Sequence, residues 1–442
     1  MKSELSYQHS LFDLSNLPPA VSHAKYNTRS GTFVDNMRLP VHRWFRYSAG
    51  FSADWVRYLV RQEKDLKGTL RVLDPFAGVG TTLLACDAEQ VESVGFETHP
   101  FIHRVSRAKL QAIHLNVESL ASLMVHFLED ALAAKPRLPD KAAVLLSKCY
   151  AHNTLVKLNA LKETYLSEYS SPTPESEVLW LVVTSILRSC SCAGTAQWQY
   201  VLPNKKKKKI LDPFQAFRLK ASEVLGDIHN AQQARWAAKS RMLLTDARVP
   251  QTPKEMHFDA VITSPPYPNN YDYSDATRLE MTFWGEISNW GDLHQAVRKY
   301  LVCSCSQHSA AERLVLEDLL KEDVLKPIRD DLTVACRRLA TVRLSRGGRK
   351  SYHTMAAAYF LDLGRVFQAL RPLCADDSTI CFVIGDSAPY GVHLKVDQWL
   401  GDLAVAAGFK SYRFEKIRDR NVKWHNRKHR MPLKEGRLWI KG

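Results

Sequence analysis

Two short segments of this chain carry residue types that elementary chemistry would place around a reacting centre. The first is DPFAGVGTT at 74–82. Asp74 follows an apolar run and reads as the end of a buried strand, Gly78 and Gly80 make a turn, and Thr81 and Thr82 open a helix. Glycines let the backbone approach a ligand closely, since no Cβ intervenes. In open α/β sheets ligands sit at the carboxyl ends of the strands, where such a turn lies. A dinucleotide fingerprint is excluded because Leu83 stands where its third glycine would be, and a phosphate loop because no lysine follows the glycines. Asp74 is an acid aimed at the ligand and suits a cation, such as the ammonium and sulfonium of S-adenosylmethionine. Glu97, 23 residues on, ends the next strand-like run, the place from which an acid accepts ribose hydroxyls. Asp246, in LLTDAR, would end a third strand and accept from an adenine amino group.

The second segment is TSPPYPNNYDY at 263–273. Pro265 and Pro266 stiffen the backbone and lack amide hydrogens, so the loop presents carbonyls as acceptors. Ser264 before them and Tyr267 after them make a pocket that accepts from an NH2 group and stacks a planar base. Asn269, Asn270 and Tyr271 lie near enough in sequence to touch the same base, although asparagines here serve equally well as turn formers. An isolated PPY reads as a stiffened loop with a core tyrosine. Its pairing with DPFAGVGTT changes that reading.

The elements that must position these loops follow from periodicity. FSADWVRYLVRQEK (51–64) has helical spacing with Ser52 as cap. RVLDPF (71–76), VESVGFE (91–97), MLLTDARV (242–249), FDAVITS (258–264) and STICFVIGDS (378–387) read as strands, and SYRFEKI with GRLWIKG as a closing pair. Strands alternating with helices predict an α/β fold with a parallel Rossmann-like sheet. Two mainly helical insertions interrupt it. The expected organisation is an N-terminal arm (1–40), a core half carrying the glycine turn (41–110), a helical insertion (111–235), the core segment with the proline loop (236–275), a second, basic insertion (276–350), and a C-terminal core part with a basic tail (351–442). The five lysines at 205–209 repel one another and read as a solvated loop.

Composition narrows the partner. Among 442 residues, 61 Lys and Arg face 46 Asp and Glu, a net charge of +15 that favours a polyanion. The excess is clustered: residues 337–350 hold six basic residues and no acid, and 410–442 hold twelve against three, interleaved with Tyr412, Phe414, Trp424 and His425. Such interleaving suits phosphate neutralisation with base stacking. Nine cysteines without paired zinc spacings argue against a disulfide framework or a metal site and fit a reducing cytoplasm. The longest apolar run, at 178–187, is too short to cross a bilayer, and the first residues lack a signal-peptide pattern.

Together the two motifs resemble the amino-methylating DNA methyltransferases, which use S-adenosylmethionine to modify an exocyclic nitrogen of cytosine or adenine. The family's D-P-F-x-G-x-G-T-T is matched at Asp74, Pro75, Phe76, Gly78, Gly80, Thr81 and Thr82, and its [DNS]-P-P-[YFW] at Ser264, Pro265, Pro266 and Tyr267. HRWFRYSAGFSADWV (42–56) is similar to the family's helix-leading segment, which implies that Phe51 and Ser52 lie by the methionine moiety. Serine at the head of the proline motif is similar to the N4-cytosine branch, whereas aspartate is more usual for N6-adenine. The resemblance implies a class I methyltransferase sheet, a base flipped out of double-stranded DNA, and a restriction-modification setting with a cognate nuclease. It covers roughly 41–110, 240–275 and 355–442. The glycine turn precedes the proline loop by about 180 residues, the reverse of many N4-cytosine enzymes, so 111–235 is a candidate for target recognition and the basic 276–350 a candidate DNA contact, with the choice between them left open. The chain has no Pro-Cys nucleophile of the C5-cytosine kind. Adenine N6, RNA, a protein glutamine amide, or an inactive nucleic-acid binder are the alternatives; oligomeric state is left open.

Overall fold

The computed structural model describes residues 33–47, 50–135, 144–196, 199–237, 239–251, 256–269, 271–347, 350–420 and 432–442. Most of the expected arm, together with Asn270, Trp424 and His425, lies outside these residues. The strands are β1 (Arg71–Asp74), β2 (Glu92–Glu97), β3 (Ala193–Thr195), β4 (Val201–Lys206), β5 (Ser240–Leu244), β6 (Phe258–Thr263), β7 (Cys374–Gly385), β8 (Ser411–Arg420) and β9 (Leu433–Lys441). Seven form one sheet in the order β5-β2-β1-β6-β7-β9-β8. The first five run parallel, and β9 lies antiparallel between β7 and β8. This is the Rossmann-like α/β sheet that the alternating pattern predicts.

Both faces of the sheet are covered, which is why its central strands read as continuous apolar runs. Leu73, Val261, Ile380 and Phe382 face a core completed by the helices Tyr352–Leu370 and Val396–Ala406. Their neighbours Val72, Ala260, Ile262, Cys381 and Val383 point the other way, onto the helix Ala53–Lys67. Ser52 caps that helix by accepting from the Trp55 amide, as its sequence predicts, and Gly68 ends it. The third core belongs largely to the first insertion. There the helices Val117–Ala133, Pro174–Cys190 and Pro213–Gln233 bury Phe127, Trp180 and Phe217 together with Phe101 of the helix Pro100–Ala112.

Three strand boundaries differ from expectation. β5 stops at Leu244, because the edge position leaves it half exposed and Asp246 begins a turn. β7 starts earlier, at Cys374, where it pairs with Phe258 of β6 across a register shift rather than through a run of apolar side chains; its pairing with β9 begins at Thr379. β3 and β4 form a separate antiparallel hairpin inside the first insertion. Low β-propensity hides it, since β4 contains Pro203 and ends in Lys205 and Lys206, which places the head of the lysine run in a strand and not in a loop. Among the described residues no helix is long and apolar enough to cross a membrane.

One buried charge fixes how the chain enters the sheet. Asp227, on the helix Pro213–Gln233, accepts from the Val41 amide, the Trp44 indole and the Arg43 guanidinium at 2.6–3.0 Å. Residues 41–47 are thereby clasped to the insertion. The same clasp brings Tyr47 over the glycine turn.

Candidate active site

The strand order reverses between β1 and β6, since β2 and β5 lie to one side and β7 to the other. Such a switch point leaves a crevice at the carboxyl ends of the two strands. Here those ends carry the glycine turn and the proline loop. β1 and β6 pair in register at Val72 with Ala260 and Leu73 with Val261, so Asp74 and Thr263 emerge as neighbours. Asp74 is only 1% exposed. Its Oδ2 accepts from Thr82 Oγ1 at 2.6 Å, and its Oδ1 accepts from Thr263 Oγ1 at 2.5 Å and the Phe76 amide at 3.0 Å. Burial raises its pKa to about 6 against the pull of those donors. Rather than facing outward, the carboxylate is engaged inside the protein, where it ties the two loops together.

The glycine turn has the backbone its sequence predicts. Gly78 and Gly80 have φ of +51° and +85°, and Gly80 precedes the helix Thr81–Ala88 in the left-handed region. The Gly78 amide donates to Glu97 Oε2 at 3.1 Å and the His99 amide to Oε1 at 2.8 Å. Burial pushes the Glu97 carboxyl up to about 7. Asp74 and Glu97 end β1 and β2, and Asp246 lies two residues past the end of the adjacent β5. Asp246 is engaged by Arg248 at 2.7 Å, whose other nitrogen reaches Asp362 at 2.9 Å. Thr81 lines a small cavity with Phe45, Tyr47, Gly50 and Val79. Phe51 is buried against Trp55, and Phe76 packs on the opposite core.

Around the proline loop, Ser264 Oγ donates to the Val383 carbonyl of β7 at 3.1 Å. Its one hydrogen is therefore used, and its remaining capacity is to accept. Ser387 Oγ donates to the Pro268 carbonyl at 2.5 Å, which pins the far side of the loop to the segment after β7. Pro265 is buried and Pro266 partly so. The Tyr267 amide donates to Tyr273 Oη at 3.3 Å, and burial holds the Tyr267 phenol well above its usual range. Arg420 stands 5.2 Å from the Tyr267 ring centre and donates to the Asp386 carbonyl at 2.8 Å. Asn269 has the turn role, since its Oδ1 accepts from the Tyr271 amide at 3.1 Å.

Several known proteins are similar to this chain over most of its length. A Type II methyltransferase, M.BsoBI of Geobacillus stearothermophilus, is 26% identical over 438 residues, spanning 89% of this chain and 84% of its own. The Type II methyltransferases M.AvaI of Nostoc sp. and of Anabaena variabilis are each 26% identical over 426 residues, spanning 88% of this chain and 83% of theirs. This chain is a relative of the Type II methyltransferases. No family model and no solved structure matches it.

Within this methyltransferase relative, several site residues carried no motif. Thr263 directly precedes the proline motif, and its hydroxyl completes the Asp74 tie. Tyr47 lies inside the helix-leading segment and its ring stands against the glycine turn, 3.7 Å from where a Gly78 Cβ would be; burial raises its phenol pKa. Arg420 comes from β8, and only the sheet order brings it to Tyr267. Two aromatics of the basic tail serve packing instead of base stacking. Tyr412 donates to Asp402 at 2.9 Å, and Phe414 sits on the core beneath Lys434.

Proposed function

We propose that this chain transfers a methyl group from S-adenosylmethionine to the exocyclic N4 amine of a cytosine flipped out of double-stranded DNA, at specific sites and in a restriction-modification setting. The observation that carries this reading is the Asp74 tie, which joins the glycine turn and the proline loop at one switch point. The residues fit the donor: the glycine backbone leaves a Cβ-free approach beside Glu97, and Tyr47 lies 3.7 Å from where a Gly78 Cβ would be. When bound, S-adenosylmethionine supplies an activated methyl on a positively charged sulfur. Glu97 would accept from the ribose hydroxyls once ionised.

An exocyclic amine is a poor nucleophile because its lone pair is conjugated into the ring. Ser264 Oγ and the Pro265 carbonyl accept its two hydrogens and favour a tetrahedral nitrogen. The work is positioning and electrostatics, with no covalent intermediate. Flipping the base costs a few kcal/mol. Stacking on Tyr267, stiffened from behind by Arg420, returns about 1–3 kcal/mol. Calorimetric titration with S-adenosylmethionine tests the donor site, and absence of heat at high concentration removes the reading. Mass spectrometry of nucleosides from methylated DNA tests the acceptor. N4-methylcytosine is expected, and N6-methyladenine would move the target to the other amine.

A further inference from the structure

The lysine run of the first insertion has no role in the site described above, yet the structure connects it to that site. We propose that the β3–β4 hairpin is the clamp that holds the phosphate backbone of duplex DNA beside the proline loop, with Lys205, Lys206, Lys208 and Lys209 as its contacts. The inference rests on the proposed action on DNA and assigns a surface to it.

The tip of the hairpin is wedged against the catalytic side of the sheet. Tyr200 stacks on Tyr271 with ring centres 5.4 Å apart and an angle of 28°, and its hydroxyl accepts from the Asp272 amide at 2.7 Å. Gln199, at φ +62°, donates to the Arg46 carbonyl next to Tyr47 and accepts from Arg188 at 2.7 Å. Arg188 in turn holds Glu280 and the Ala276 carbonyl just beyond the proline loop. A residue in the left-handed region that is not glycine is strained and persists only where surrounding contacts hold it. The hairpin is thus built into the wall of the site.

The lysines begin close to that wall. Val201 pairs with Thr195 and Lys206 with Ala193, so two residues of β3, roughly 7 Å at strand rise, separate the two ends. Lys205, Lys206, Lys208 and Lys209 are exposed. No ion pair to any of the four occurs among the described residues. The nearest acid in sequence, Asp212, is turned away to Lys157 at 2.5 Å and to the Phe214 and Gln215 amides. Lys207 folds inward, to the Arg188 carbonyl, and Lys206 Nζ donates to the neutral Cys192 thiol at 3.6 Å, which leaves its charge uncompensated. Uncompensated like charges beside a rigid tip suit a duplex, which presents one negative charge about every 1.7 Å of axis.

The test uses the full chain carrying K205Q, K206Q, K208Q and K209Q together, leaving Lys207 in place. Binding to a fluorescent mixed-sequence duplex is followed by anisotropy from about 50 to 200 mM salt. Each lost phosphate contact should flatten the plot of log affinity against log salt by about 0.9, so a decrease of at least roughly 2 is expected. The loss should be the same on duplexes of different sequence, because phosphates carry no base information. Binding of S-adenosylmethionine and the melting temperature should stay as in the parent. An unchanged slope, with the parent still binding duplex, overturns the clamp and leaves the proposed function standing. A parent that binds no duplex overturns both, and a preference of the parent for an RNA hairpin over the DNA duplex overturns the choice of partner.

Discussion

Replacing Thr263 by valine tests the tie between the two loops. The substitution keeps the shape and removes one hydroxyl from Asp74 Oδ1, leaving Thr82 Oγ1 and the Phe76 amide as donors. A hydrogen bond to a charged group contributes about 1.5–3 kcal/mol, and a neutral one about 0.5–1.5 kcal/mol. Burial raises the Asp74 pKa from 3.8 to about 6, so its protonated form favours the fold below 3.8, and that contribution fades as the pH climbs through about 6. At about pH 8 the valine variant should therefore lose about 2 kcal/mol, and at about pH 5 nearer 1 kcal/mol. Urea midpoints at the two pH values, with unchanged m, measure the difference. A loss that is equal at both pH values, or below about 0.5 kcal/mol at the higher one, would refute the view that an ionised Asp74 is held by these hydroxyls.

Four further outcomes are expected. Ser264→Ala should keep cofactor affinity and lower turnover by about 10²–10³-fold, the usual effect of losing one preorganised hydrogen-bonding group; parallel loss of cofactor binding would show that the residue is misplaced. Because burial pushes Glu97 up to about 7, the affinity for S-adenosylmethionine should rise between roughly pH 6 and 8 in calorimetry and be flat in Glu97→Gln. Tyr267→Ala should weaken duplex binding by about 1–3 kcal/mol with little change in melting temperature, checked by anisotropy and calorimetry. Gly385→Ala would put a methyl 2.9 Å from Tyr267 Cε2 and 2.5 Å from Arg420 Nη1, so turnover should fall while cofactor affinity holds.

Much of the framework was readable from residue order. The cap at Ser52, the left-handed turn at Gly80 and the alternation of Val72 with Leu73 between two cores are local properties, set by backbone sterics and side-chain period. The hairpin was not readable, because β3 is three residues long and β4 contains proline and lysines that gain their pairing only from the surrounding insertion. Asp74 shows the same division within one residue. Its place at a strand end is local, whereas the hydroxyls that occupy it come from eight and 189 residues away.

The sequence alone determined the two loops, their backbone shapes and the apolar runs that build the sheet, since those depend on neighbours along the chain. Only the tertiary structure decided which loops share a crevice, that Arg420 backs Tyr267, and that Tyr200 joins the lysine hairpin to the proline loop. Partners of that kind are selected by strand order and packing, and no spacing along the chain encodes them.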